Sequence, residues 1–185
     1  MLLLNFTGPP GAGKSTMAAG LFHLLKTRHW NVELVTEYTK ELILSGDQFS
    51  LADELLVFAE KYRRINTLKS VDIVITDSPL INSAVYGDGQ FGDAAPKFYE
   101  TVAQSFDSLY FAVERVSEYI PLGRMPDEAQ AGAAGAAIVA HVEKLGAPLW
   151  RVSGHNSALA EILDIVEREA KVRSISRLRE LQEVF

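Results

Sequence analysis

Residues 8–16 read Gly-Pro-Pro-Gly-Ala-Gly-Lys-Ser-Thr, and they constrain the fold more than any other stretch of the chain. From Gly8 to Ser15 the pattern G-x-x-x-x-G-K-[ST] is met at every fixed position. The apolar run MLLLNF precedes it, and Met17, Leu21, Leu24 and Leu25 follow at one-face helical spacing. Strand, glycine loop and helix in that order make a nest for an anion. Glycines let successive N–H groups curl inward, and the helix N-terminus adds partial positive charge. Gly8, Gly11, Ala12, Gly13, Lys14, Ser15 and Thr16 are therefore expected to hold the phosphates of a nucleoside triphosphate. Lys14 is expected at the β- and γ-phosphates, and the Ser15 hydroxyl on a metal ion. ATP and Mg2+ are the expected cofactors.

Four more short runs rich in Val, Ile and Leu follow the first at Leu2–Phe6: Val32–Thr36, Asp72–Thr76, Leu109–Val113 and Pro148–Val152. Such runs suit strands buried on both faces of a parallel sheet. Helical patterns lie between them: one after the glycine loop, then about Ser50–Leu68, Ala95–Phe106, Pro126–Leu145 and Ala158–Lys171. The alternation predicts an α/β three-layer sandwich, a five-stranded parallel sheet with helices on both faces, as one domain over 1–185. The run AQAGAAGAAIVA at 129–140 reads as a closely packed helix, although Gly132 and Gly135 each cost it roughly 1 kcal/mol. Trp30 and Trp150 read as packing residues, and the histidines show no metal-ligand spacing.

The chain has no cysteine, which excludes disulfides, a thiolate metal site and a cysteine nucleophile, and fits a reducing cytoplasm. MLLLNF is too short for a membrane span, so no membrane partner is expected. A net charge of −6 argues against broad, sequence-blind nucleic-acid binding but leaves a local basic patch open.

VDIVITDSPL at 71–80 ends a strand in Asp77, where a carboxylate holds Mg2+, usually through water. Ser78 and Pro79 follow where hydrolytic motors commonly have a glutamate, and no Asn-Lys-x-Asp guanine signature occurs. LSGDQ at 44–48 mimics a transporter signature but stands only 30 residues after Lys14 and reads as a turn.

With these residues the chain resembles small phosphate-loop kinases, in which an Asp-Arg-Ser or Asp-Thr type motif follows the third strand, as Asp77-Ser78-Pro79 does here. The resemblance implies strand order 2-3-1-4-5 and an acid just past the second strand, here Glu37 in V-T-E-Y-T-K, accepting the proton of an acceptor hydroxyl. Over about residues 1–125 the chain also resembles nicotinamide riboside kinase-like domains. It is similar as well to polynucleotide and nucleoside kinases. After the fourth strand, FAVERVSEYIPLGRMPDEAQ carries Arg115 and Arg124 nine residues apart. By resemblance this is a lid, at about 115–130, that closes arginines over the phosphates. The alternative is surface pairing with Glu114, Glu118 or Asp127. Gly154 and His155 fall where such kinases pass a loop by the adenine.

The acceptor is expected beyond the strand ends, near Glu37, Tyr38, Lys40, Arg63, Arg64 and Tyr86, with residues 82–95 as a substrate lid. Lys61, Arg63 and Arg64 facing it suit a phosphate-bearing acceptor; the alternative is a solvated helix face. The most specific resemblance is to phage-type kinases that phosphorylate 5-hydroxymethyluridine within DNA. The implied activity is γ-phosphate transfer to a hydroxyl of a nucleoside, nucleotide or DNA component, in the cytoplasm, or the host cytoplasm if phage-encoded. A nucleoside or nucleotide monophosphate kinase stands beside it. From another class come a small ATPase of nucleic-acid remodelling or assembly and a domain that only binds nucleotide.

Overall fold

The computed structural model describes residues 1–87, 91–116 and 128–178. Five strands pair in parallel: β1 (Leu2–Thr7), β2 (Val32–Val35), β3 (Ile73–Thr76), β4 (Asp107–Glu114) and β5 (Leu149–Ser153). Their order is β2-β3-β1-β4-β5, the 2-3-1-4-5 order expected from the sequence. Leu3 of β1 lies between Val74 and Ser108, so the central strand has a partner on each side and no free edge.

Helices cover both faces because every strand is apolar on both. Leu2, Leu4 and Phe6 pack with Met17, Leu21 and Leu25 of α1 (Lys14–Thr27) and with Ile162 and Val166 of α8 (Ala158–Val172). Leu3 and Val74 face the opposite core. That core holds Phe58 and Ile65 of α4 (Glu54–Asn66), Tyr99 of α6 (Ala94–Gln104), and Ile138 and Val142 of α7 (Glu128–Lys144). Burying Ile138 and Val142 contributes roughly 1.5–3 kcal/mol apiece. That exceeds the roughly 1 kcal/mol each α7 glycine costs, so packing decides for a helix there. Trp30 is buried in the core, and Trp150 stacks on Phe111, which stacks on Phe6, so both tryptophans pack as expected.

The helix expected from Ser50 to Leu68 is two helices. Asp47 caps α3 (Gln48–Leu51) by accepting from the Ser50 N–H, and Asp53 caps α4 by accepting from the Leu56 N–H. Two capping aspartates six residues apart start two helices where apolar spacing alone suggests one. A further helix, α2 (Tyr38–Ser45), occupies the segment after β2 and ends at Gly46 with φ 75°. Its Leu42, Ile43 and Leu44 are consecutive and only Leu42 is buried, so it carries no helical period to read. The supposed loop at 82–95 begins as structure: a 3-10 turn at Leu80–Asn82 runs into α5 (Ser83–Tyr86), with Ser83 and Ala84 buried. Residues 88–90 and Pro126 lie outside the described residues. Among the described residues no helix is long and apolar enough to cross a membrane.

Candidate functional site

All five strands run the same way, so the segments leaving their carboxyl ends gather along one edge of the sheet. These segments are Gly8–Gly13 after β1, Glu37 after β2, Asp77 after β3, Arg115 after β4 and Gly154 after β5.

The loop at 8–13 is built for close backbone approach. Gly8, Gly11 and Gly13 have φ of 127°, 82° and 93°, conformations open to glycine and strained for other residues. A Cβ on Gly8 would lie 2.5 Å from the Val113 carbonyl oxygen, and one on Gly13 3.3 Å from that of Gly154. A Cβ on Gly154 would lie 2.3 Å from the Ala12 carbonyl oxygen, so the loop after β5 braces the nest from outside. On the far flank Gly135 of α7 comes so close that a Cβ would sit 2.7 Å from the Pro9 nitrogen. Gly132, three residues earlier, meets nothing within 4 Å.

At the head of α1, Gly13 is the N-cap, no side chain caps the helix and no acid sits in the first turn. The first intrahelical bond is the Met17 N–H to the Gly13 carbonyl, 2.9 Å, so the amides of Lys14, Ser15 and Thr16 precede the helical ladder. Ser15 and Thr16 are exposed there. Lys14 Nζ donates to the carbonyl oxygens of Gly8 and Pro9, both at 3.1 Å, which folds its ammonium over the nest. Arg115 Nη2 donates to the Pro10 carbonyl at 2.9 Å, so this arginine braces the loop from the end of β4. Arg124 and most of the expected 115–130 lid lie outside the described residues.

Glu37 lies within the electrostatic reach of Lys14 and Asp77. Burial raises the Glu37 pKa above the ordinary carboxylate value; Lys14 pulls it back, Asp77 pushes it up, and Lys61 and Lys40 pull it down. Asp77 is 4% exposed, and its Oδ1 has no hydrogen-bond partner among the described residues; nor has the hydroxyl of buried Thr7, at the end of β1. Such orphans are rare in native interiors. A Mg2+ ion takes one or two protein oxygens, its other positions going to waters and phosphates. With a nest that rejects Cβ atoms and an orphaned carboxylate beside it, the residues present fit Mg2+–ATP. They fit nothing larger in protein ligands: among the described residues no three His, Cys, Asp or Glu cluster as a metal site.

The acceptor-side expectations divide. Tyr86 lies within the field of both Glu37 and Glu54, and its hydroxyl pKa is raised by burial and by those two carboxylates. Lys40 is exposed but still acts on Glu37. Arg63 and Arg64 are not brought in. Arg63 Nε donates to Glu60 at 2.7 Å; Arg64 grips Glu41 at 2.6 and 2.7 Å and Glu60 at 2.8 Å. The Arg64 guanidinium also covers the Tyr38 ring at 4.8 Å, so Tyr38 joins this surface network. Lys61, two residues before Arg63, turns inward: it is 5% exposed, 3.8 Å from Glu54 Oε1 and 3.4 Å from Ser83 Oγ. Glu54 is the site member that the sequence reading does not name, and Lys61 is the one of its three helix cations that turns inward. The signal was present, because Val57, Phe58, Lys61 and Ile65 form one buried stripe at helical spacing.

On the other side of the loop, His155 is exposed and its Nδ1 accepts from the Ser157 N–H at 3.2 Å, fixing the turn into α8. An open groove of about 370 Å3 lies between Pro9, the end of β4 and α7, lined by Arg115, Gly135, Val139 and Arg151 among others. It borders the phosphate nest from the β4 side, whereas Glu37 and Asp77 stand on the β2–β3 side.

The AAA domain family model matches residues 3–158, most of the chain and all of the elements just described from β1 to the start of α8. The chain belongs to that family, which is of the phosphate-loop NTPase type. No curated protein matches it.

Proposed function

From the premise of a phosphate-loop NTPase of the AAA domain family, we propose that this chain is an ATP- and Mg2+-dependent kinase. It transfers the γ-phosphate to a hydroxyl of a nucleoside, nucleotide or DNA component, most specifically 5-hydroxymethyluridine in phage DNA. The observation that carries this reading is the half-buried carboxylate of Glu37 beside Lys14 and Asp77, on the side of the nest away from β4 and β5. A half-buried carboxylate there, its pKa raised by burial, suits removal of a proton from a bound hydroxyl.

Bound Mg2+–ATP supplies the transferable phosphoryl group and the divalent charge. The amides of the nest and Lys14 hold and neutralise phosphate oxygens. Ser15 and Asp77 provide the protein oxygens for the metal. Gly154 and His155 border the adenine side. Glu37 orients the acceptor hydroxyl and takes its proton; burial, the largest influence, and Asp77 favour its protonated form, and Lys14, Lys61 and Lys40 favour its charged form. By the resemblance to small kinases, Arg115 and Arg124 would add positive charge at the phosphates. The reaction runs in the cytoplasm.

A second reading draws on the family match, which suits ATP hydrolysis equally well. Against it stands Ser78, next to Asp77, where a water-polarising glutamate is wanted. Transfer of label from γ-labelled ATP decides between them. The acceptors are deoxynucleosides, mononucleotides, 5′-hydroxyl oligonucleotides and duplexes containing 5-hydroxymethyluracil, with the label located by mass. Label on an acceptor is the expected result; label only in free phosphate, stimulated by a macromolecule, supports the hydrolase.

A further inference from the structure

Glu54 and Lys61 of α4 and Ser83 of α5 bring buried polar groups together near Glu37, with buried Asn82 next to Ser83 in sequence. A buried ammonium is costly unless paired, and the pairing of Lys61 is loose. Glu54 Oε1 stands at 3.8 Å, beyond hydrogen-bond reach, and Ser83 Oγ at 3.4 Å is at its limit. Among the described residues Glu54 Oε1 and Asn82 Oδ1 are buried and accept no hydrogen bond. Asn82 immediately precedes Ser83, and Gly87 draws the group together. A Cβ on Gly87 would lie 2.8 Å from the Ser83 carbonyl oxygen and from Tyr99 Cε2, and 3.2 Å from Glu54 Cγ. The Tyr99 hydroxyl is a further buried orphan. Tyr86, half exposed, feels both Glu37 and Glu54, so it stands between the two carboxylates and solvent.

Charge decides what can enter. Glu37, Glu54 and Asp77 contribute three carboxyl groups, and with Lys14 committed to phosphates the buried neighbouring cation is Lys61. Arg63 and Arg64 are held by Glu60 and Glu41 on the outer surface. A phosphate beside Lys61 would face the carboxyl groups of Glu37 and Glu54, with Lys40 the exposed cation acting on Glu37. A neutral group bearing hydroxyls or a ring N–H would instead satisfy the orphaned oxygens.

We propose that Glu54, held by Lys61 and assisted by Asn82, is a recognition subsite for an uncharged acceptor group carrying a second hydrogen-bond donor besides the hydroxyl at Glu37. The orientation of the acceptor rests on the kinase reading above. Any phosphate the acceptor carries lies outside this inner pocket. This replaces the expectation that α4 presents basic side chains to a phosphate.

The test is calorimetric titration of the full chain, loaded with a non-hydrolysable ATP analogue. The probes are 5-hydroxymethyl-2′-deoxyuridine and analogues each lacking one donor, the N3-methyl and 3′-deoxy compounds. Hydrogen bonds to charged groups are worth about 1.5–3 kcal/mol, so one deletion is expected to weaken binding about 10- to 100-fold. That discrimination is expected to shrink in Glu54→Gln. It is expected to vanish in the double variant Glu54→Leu with Lys61→Met, which removes the pair together and leaves no lone buried charge. Discrimination unchanged in both variants, or a wild-type chain that binds none of the probes, overturns the subsite. Transfer of γ-label to the same probes is measured separately: binding with discrimination but no transfer removes the kinase reading and keeps the subsite.

Discussion

The two sides of α4 carry the same kinds of charged residue and treat them oppositely. Outward, Glu60 takes Arg63 and Arg64 at once, and Arg64 also takes Glu41; these hydrogen bonds hold the Glu60 pKa down at about 2. Inward, Lys61 stands 3.8 Å from Glu54, and Glu37 nearby has its pKa raised by burial. The outer network is complete and ends in water; the inner one leaves polar atoms unmatched. Satisfied charges build a surface, whereas unsatisfied buried ones mark where a ligand is expected.

Opposite pKa shifts give opposite dependences on pH. Glu60 contributes stability that is present above the unfolded value near 4.5 and lost as pH falls toward 2. Glu37 binds its proton more tightly folded than unfolded. Its contribution is therefore present below 4.5 and lost as pH rises through its raised folded value.

The largest effect should come where the nest meets its lysine. Lys14→Ala is expected to lower turnover about 10^2- to 10^3-fold with the circular dichroism spectrum kept; undiminished turnover would remove the phosphate-loop assignment. Glu37→Gln should cost a similar or larger factor, about 10^2- to 10^4-fold, while ATP affinity in calorimetry stays put. Because it deletes a carboxylate that burial disfavours, the same variant should melt higher than wild type at pH 7, with the gain shrinking at pH 4. A lower melting temperature at pH 7 would show that the charge of Glu37 is satisfied in the folded chain. Next comes Gly135→Ala, whose Cβ must displace Pro9 backbone: about 1–3 kcal/mol of stability, with weaker ATP binding. Gly132→Ala, in open space on the same helix, should instead gain up to about 1 kcal/mol by denaturant titration. Equal effects at the two glycines would mean that α7 does not buttress the nest. Smallest is Arg63→Ala on the outer face, expected to leave both the denaturant midpoint and turnover near wild type. A large loss of activity there would erase the contrast between the two faces.

How much of this was legible in the sequence follows from how local each signal is. The nest is read in nine consecutive residues, because its glycines, lysine and hydroxyls act through their own backbone. Asp77 and Glu37 are read from where apolar strands stop, since a parallel sheet delivers strand ends to one edge. The strand order came by resemblance, because crossovers leave little mark on strands that are uniformly Val, Ile and Leu. α2 was missed because Leu42, Ile43 and Leu44 have no helical period, and the break before α4 because its cause is one capping aspartate, Asp53. Lys61, Arg63 and Arg64 read together as acceptor-facing cations, since in E-K-Y-R-R the three look alike. Only the phase set by Val57, Phe58 and Ile65 turns one of them inward.

The most direct measurement is the pH dependence of single-turnover transfer from γ-labelled ATP to a hydroxyl acceptor, in wild type and in Glu37→Gln. If Glu37 is the base, the wild-type rate falls on the acid side with a midpoint above 4.5, and that limb disappears in the much slower variant. An identical profile and rate in the two proteins would contradict the assignment and leave Glu37 a buried neighbour of Lys14 with no part in transfer.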